Sequence, residues 1–303
     1  MPKNLVVILG PTASGKTQMA VRLALDLKGE VISADSRQVY KKMDLGTGKD
    51  LDQYSVGGRK VQYHLIDTVD PRHEFNVFEF QQAFYRIFSE LSARRVTPIL
   101  VGGTGLYLES ILLGYSMPGA PPDGALREKL RRLSMTQLRE ELLRLKPRLH
   151  NRTDLEDPER LIRAIEIETA RLKKTETETS RPNVDAVVFG LKWERAALRA
   201  RITQRLKERL SAGMIEEVAN LHREGISWER LESFGLEYRY IAQYLQGKLS
   251  LNAMTEKLNT AIHQFAKRQE TWFRRMEKKG VCIIWVSPQE YDVVKETVLR
   301  FLQ

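Results

Sequence analysis

LVVILGPTASGKTQ, residues 5–18, decides the fold. Five consecutive apolar residues run into GPTASGKT at 10–17, which fits G-x-x-x-x-G-K-[ST], and TQMAVRLALDL follows with helical spacing. Strand, glycine-rich loop and helix in that order place backbone N–H groups around phosphate oxygens at a helix N-terminus. The cradle comprises Gly10, Pro11, Thr12, Ala13, Ser14, Gly15, Lys16 and Thr17. The amides of residues 12–17 surround the phosphates, Lys16 pairs with the terminal phosphate, and Thr17 holds Mg²⁺. The bland alternative is a glycine-rich turn. Nucleotide hydrolysis does not follow from the loop. An Asn-Lys-x-Asp base reader is absent, and HLID at 64–67 is the candidate for an ATPase's acidic Mg²⁺ partner at a strand end.

Outward from the loop, short apolar runs read as buried strands at 31–35, 64–68, 98–103, 186–191 and 281–286. Helical patterns alternate with several of them, as a parallel α/β sheet requires. MPGAPPDGA at 117–125 interrupts the alternation, and the chain to about residue 182 is charged, helical and strand-free, ending in the polar KKTETETSRPN, expected to be a mobile loop. The expected fold is therefore α/β: a P-loop NTPase-like parallel sheet flanked by helices over 1–116 and 183–303, with a helical insertion over 117–182. Long helices are expected at 195–223 and 250–278.

The chain has 303 residues and a net charge of +10, and the excess is C-terminal: residues 1–114 hold 14 basic and 12 acidic side chains. Residues 127–152 hold nine basic side chains against three acidic, and 267–279 hold six against two. Either run alone reads as a solvated helix face, but two of them beside a phosphate loop point to a polyanionic partner. Cys282, alone in VCIIWV, reads as a core thiol, and the five histidines show no metal-ligand spacing. No apolar run approaches the ~20 residues of a membrane span and no leader pattern opens the chain, so a cytoplasmic location without membrane contact is expected. A monomer is the expectation, although nothing in the chain fixes the oligomeric state.

VISADSRQVY puts Asp35 at the carboxyl end of the second strand, the edge where open α/β sheets bind ligands. Asp35 and Gln38 also fit a capping box for a following helix. A carboxylate beside a phosphate loop repels the ligand unless it moves a proton or holds a metal. PILVGGTGLYL presents Thr104 at the same edge, with Gly102, Gly103 and Gly105 allowing close approach of a ligand or of a packed helix.

GPTASGKT at 10–17, DSRQVY at 35–40, GTGK at 46–49, HLID at 64–67, VGGTGLY at 101–107, DPERLIRAIEI at 157–167 and QFAKRQETWFRR at 264–275 together resemble the tRNA dimethylallyltransferases. The resemblance runs in one order through nearly the whole chain. It implies transfer of a dimethylallyl group from dimethylallyl diphosphate to N6 of the adenosine just 3′ of the anticodon, with Mg²⁺. By the same resemblance Asp35 takes the N6 proton and Arg205, in ITQRLKERL, neutralises the departing diphosphate. Asp35, Ser36, Arg37, Gln38, Thr104, Arg127, Glu159, Arg160, Leu161, Ile162 and Arg163 meet tRNA, with Gln38 offering a bidentate amide to a base edge. The bland readings are a solvated position for Arg205, a strand-end cap for Thr104 and internal salt bridges for the insertion residues. Two departures stand out: SFGLEYRY at 233–240 replaces the family's Gly-Tyr followed by a basic or polar residue, and Gly48 stands where alanine is common. A small-molecule kinase using ATP, an adenylate isopentenyltransferase acting on AMP or ADP, and a non-catalytic RNA-binding protein are the competing readings.

Overall fold

The computed structural model describes residues 3–117, 119, 123–146, 155–173 and 181–302; most of KKTETETSRPN lies outside them. The chain divides into two compact units, Met1–Tyr115 with Pro182–Gln303, and Ser116–Arg181. In chain order the first unit begins with β1 (Leu5–Leu9), α1 (Lys16–Leu27), β2 (Glu30–Ser33), β3 (Ser55–Val56), β4 (Arg59–Lys60), β5 (Tyr63–His64), α2 (Val77–Ala93), β6 (Pro98–Gly102) and α3 (Gly105–Leu112). The second unit holds α4 (Gly124–Arg131), α5 (Met135–Leu145) and α6 (Pro158–Lys173). The first resumes with β7 (Ala186–Leu191), α7 (Arg195–Ser211), α8 (Met214–Arg223), α9 (Trp228–Ser233), α10 (Leu236–Leu245), α11 (Leu251–Lys278), β8 (Ile283–Val286) and α12 (Tyr291–Leu302).

The strand order is β5-β2-β6-β1-β7-β8 and every pairing in this sheet is parallel. β1 lies between β6 and β7, so the loop after it leaves the middle of the sheet at the carboxyl edge. All five β1 residues are buried because both faces of the sheet are covered. Leu5, Val7 and Leu9 pack with Phe80, Phe84 and Phe88 of α2 and with Phe273 and Met276 of α11. Val6 and Ile8 pack on the other face with Met19 and Leu23 of α1 and Val294 and Val298 of α12. A third core, built on Ile202, Leu206, Val218, Phe234, Ile241, Leu258 and Ile262, joins α7 to α11. Among the described residues no helix is long and apolar enough to cross a membrane.

Three local expectations are corrected. β2 stops at Ser33, and Ser36–Val39 form a turn instead of a helix, so Asp35 and Gln38 make no capping box. The helix expected over 195–223 is broken at Gly213, whose φ of 101° is left-handed backbone. Cys282 is exposed because it precedes edge strand β8, where Val281 and Ile283 take the inward alternation.

The second unit buries Leu130, Leu138, Leu142, Leu161, Ile162 and Ile165 in a core of its own. α5 opens with a capping box in which Ser134 and Gln137 bond reciprocally.

Candidate active site

The phosphate loop is shaped by two left-handed residues, Ala13 at φ 63° and Gly15 at φ 86°. Gly15 caps α1 without a side-chain hydrogen bond, so the helix N-terminus keeps its donors for a ligand. Residues from the second half of the chain grip the loop from outside. Trp193 Nε1 donates to Ser14 O at 2.9 Å, and Arg201 Nε donates to Ala13 O at 3.0 Å. Thr12 N donates to Gln269 Oε1 at 2.8 Å, and Ser14 N to Pro11 O at 3.3 Å. The expectation that all six amides of residues 12–17 face phosphate is therefore corrected. Thr12 and Ser14 spend theirs on protein, and those of Ala13, Gly15, Lys16 and Thr17 remain for a ligand.

A cleft of about 540 Å³ opens on the loop, lined also by Asp35, Gln38, Gly48 and Asp50 and by Arg201, Arg205 and Glu208 of α7. Arg205 Nη2 bonds Thr12 Oγ1, which seats its guanidinium beside the cradle and excludes the solvated reading of that residue. Burial and the neighbouring Arg209 guanidinium lower the Arg205 pKa to about 10, leaving it a cation at neutral pH. Burial brings Lys16 down to about 8, against the pull of the Asp35 carboxylate and with the push of Arg205. With a folded pKa near 8, Lys16 is charged below that pH and neutral above it. kcat/KM for an anionic donor is therefore expected to fall as pH rises through about 8. Lys16→Arg should carry this limb to higher pH, since a guanidinium stays charged. A pH–rate profile for wild type and variant checks this, and a flat wild-type profile through that region would contradict it.

Asp35 lies two residues beyond β2, and its Oδ1 accepts from Arg37 N at 2.9 Å and Gln38 N at 3.4 Å. Thr104, at the N-terminus of α3, accepts on Oγ1 from Ser36 N at 3.0 Å. The structure thus joins Asp35, Ser36 and Thr104 at the carboxyl edge. Gln38 is tied at both ends: Nε2 donates to Gly48 O at 2.9 Å and Oε1 accepts from Ser33 Oγ at 3.0 Å. Each end of the amide thus has one protein partner, and one N–H and one lone pair remain on a side chain that lines the cleft. Asp67 of HLID is paired with Lys49, which is 1 % exposed, and Lys49 also bonds Asp44 at 2.6 Å. Asp67 is the counter-ion of a buried lysine. Gly48 has φ 64°, and a Cβ there would lie 2.0 Å from Arg209 Nη2, which accounts for glycine at that position.

The glycines of VGGTG serve packing. A Cβ at Gly102 would lie 2.2 Å from Ala34 O, and at Gly105 2.4 Å from the Trp272 ring. Thr17, at the first turn of α1 in the cleft, is the hydroxyl that would hold Mg²⁺. Among the described residues no group of three or more His, Cys, Asp or Glu is arranged to hold a metal. Thr17 suits an ion that keeps water and takes diphosphate oxygens, as Mg²⁺ does.

In the second unit, Arg127 donates to Glu166 from Nε at 2.8 Å and Nη2 at 3.0 Å, and Arg163 Nη1 donates to Glu166 at 3.1 Å. Arg131 pairs with Glu159 at 3.1 Å, and Arg160 is exposed. Leu161 and Ile162 are 0 % and 2 % exposed. The expectation that they touch tRNA is corrected, since their side chains build the core of this unit.

A model of the IPP transferase family matches residues 38–276. The tRNA dimethylallyltransferase 1 of Syntrophus aciditrophicus is 57 % identical over 297 residues, covering 98 % of this chain and 97 % of that protein. The tRNA dimethylallyltransferase 2 of Trichlorobacter lovleyi is 54 % identical over 284 residues, covering 94 % and 92 %. The full-length tRNA isopentenylpyrophosphate transferase of Bacillus halodurans superposes with a TM-score of 0.71 at 30 % identity, covering 99 % of this chain and 97 % of that one. Sheet, phosphate loop and relatives together define a prenyl-transferring enzyme on a P-loop-like α/β fold. The chain belongs to the IPP transferase family.

Four features of the site escape a reading by motif. Arg201 shares the loop-facing side of α7 with Arg205, four residues on, and stacks 4.5 Å over Trp193. That i, i+4 spacing was the available signal. Arg209 pairs with Asp50 at 3.1 Å. Glu237, in the divergent SFGLEYRY segment, has its pKa raised by burial despite the fields of Arg209 and Arg205. Gln269 had no sequence signal pointing to the loop.

Proposed function

We propose that this protein transfers the dimethylallyl group of dimethylallyl diphosphate to N6 of the adenosine 3′ of the anticodon in tRNA. The observation that carries the reading is one cleft lined by both halves of the chemistry, Lys16 and Arg205 for a leaving diphosphate and Asp35 for a proton. N6 is a poor nucleophile because its lone pair is delocalised into the purine, so transfer needs a proton acceptor and a stabilised leaving group. The N6–C1 bond forms as the C1–O bond breaks. Asp35 takes the N6 proton, and the diphosphate departs with the bonding electrons onto the loop amides, Lys16 and Arg205. Thr17 would hold Mg²⁺, which when bound would add charge neutralisation on the diphosphate. The acceptor base reaches the site because an anticodon-loop adenosine is unpaired and can be flipped out at moderate cost. A tRNA substrate fits the cytoplasmic location expected from the sequence.

The engagement of Asp67 with Lys49 takes away the carboxylate that the kinase reading needed. Incubation with unmodified tRNA, AMP or ADP and labelled dimethylallyl diphosphate, followed by nucleoside analysis, tests the reading. Label is expected in tRNA, and label in mononucleotide alone would replace it with the adenylate isopentenyltransferase.

The charge of the second unit supplies its own test. Arg144 pairs locally with Glu141, and Arg139 Nε donates to Leu155 O at 2.8 Å, so these side chains are exposed and lightly held. Replacing Arg131, Arg132, Arg139 and Arg144 by Gln is expected to weaken tRNA binding. It should also flatten the slope of log K against log salt by one to three phosphates' worth, at about 0.7–0.9 per phosphate. Donor binding should be unaffected. Filter binding across salt concentrations checks this, and an unchanged slope would remove these arginines from the tRNA surface.

A further inference from the structure

Gln269 sits in the middle of α11, 7 % exposed, with both ends of its amide spent near the cleft. Its Oε1 accepts from Thr12 N at 2.8 Å, and its Nε2 donates to Gly103 O at 2.8 Å. A Cβ on Gly103 would lie 2.3 Å from that Nε2, so the approach needs glycine there. From Gly103 the ties continue toward the acceptor side. Thr104 N donates to Ala34 O at 3.3 Å, Thr104 Oγ1 accepts from Ser36 N at 3.0 Å, and Asp35 closes the same turn through Arg37 N at 2.9 Å. One side chain, 257 residues from Thr12 in sequence, thus links the loop that would hold the diphosphate to the turn that carries the carboxylate.

We infer that Gln269 is a positioning residue that fixes the separation between the phosphate cradle and Asp35, and so the approach of nucleophile to leaving group. The inference rests on the prenyl-transfer reading. Donor and acceptor on one neutral group are what the two backbone partners require: Thr12 N must be accepted from, and Gly103 O must be donated to. An error of about 1 Å in such a separation costs on the order of 10²-fold in rate.

Gln269→Glu tests this, because protonation restores what the substitution removes. As a neutral carboxylic acid the new side chain accepts from Thr12 N and donates its O–H to Gly103 O. As a carboxylate it has no donor, so Gly103 O faces a like partial charge. Burial raises the pKa of such a carboxyl, bringing its titration toward the assay range. The charged groups around the loop are Lys16, Arg201 and Arg205, with Asp35 beyond β2 and Arg268 and Glu270 flanking position 269 on α11. All of them remain in the variant, so dividing its kcat by that of wild type at each pH cancels their shared contribution.

We expect the variant's kcat to lie about 10- to 100-fold below wild type in alkali. The deficit should narrow severalfold toward pH ~6, with KM for the donor moving much less than kcat. Gln269→Leu, which keeps the volume and no hydrogen bond, should be deficient at every pH. A deficit independent of pH, or a Leu variant as active as wild type, overturns the inference. So does loss of near-UV circular dichroism in step with activity, which would assign Gln269 to fold stability alone. Wild type that transfers prenyl groups while the ratio stays flat sinks only the positioning role, whereas wild type with no transfer sinks the functional reading and this inference with it.

Discussion

Asp35→Asn is expected to lower kcat by ~10²- to 10⁴-fold, the usual worth of a positioned general base. Asparagine is the informative substitution. Asp35 Oδ1 accepts the Arg37 and Gln38 amides, and an asparagine carbonyl oxygen continues to do so, so the turn and its tie to Thr104 survive. What is lost is the ability to take a proton. tRNA affinity should change little, and single-turnover kinetics with saturating tRNA separate chemistry from binding. A loss smaller than about threefold would remove Asp35 from proton transfer.

Lys16→Ala should reduce kcat/KM for dimethylallyl diphosphate by about 10²- to 10³-fold, the scale for removing one donor aimed at charge that develops in the transition state. Lys16 Nζ lies 3.4 Å from Pro11 O and spans its own loop, so truncation removes an ammonium from the cradle without disturbing β1. The remaining amides and Arg205 would still bind diphosphate, which bounds the loss. The truncated enzyme should also lack the alkaline limb that Lys16 gives wild type. Equal donor kinetics in the two proteins would take the cation out of the leaving-group site.

Much of the fold was legible because a sheet covered on both faces demands uninterrupted apolar strands, and LVVIL, PILVG and AVVFGL supply them. The β3–β4 hairpin was not, since its strands are two residues each and only Gly57-Gly58, both at positive φ, mark the turn. At the site, motif reading pointed to Lys16, Asp35 and Thr104 because each stands in a contiguous pattern at the carboxyl edge of a strand or in the loop, whereas Arg205, inside α7, came only from the family resemblance. It overreached where a pattern says nothing of burial or partners. Leu161 and Ile162 lie among charged residues yet face inward, and the ties of Gln38 to Ser33 and Gly48 are not visible in its motif. Gln269 and Arg201 act on the loop through tertiary contacts spanning 257 and 188 residues; periodicity sets Arg201 on one side of α7 with Arg205 but does not say which segment that side meets.

On the proposed function, the phosphate loop holds an allylic diphosphate whose departure is the chemical event. Its most direct measurement is the stoichiometry of a reaction containing wild-type protein, unmodified tRNA, dimethylallyl diphosphate and Mg²⁺, with and without ATP. One inorganic diphosphate should be released for each N6-dimethylallyladenosine recovered from tRNA digests, at the same rate whether or not ATP is present. Prenylation that required ATP, or that released orthophosphate from ATP in step with product, would contradict the account.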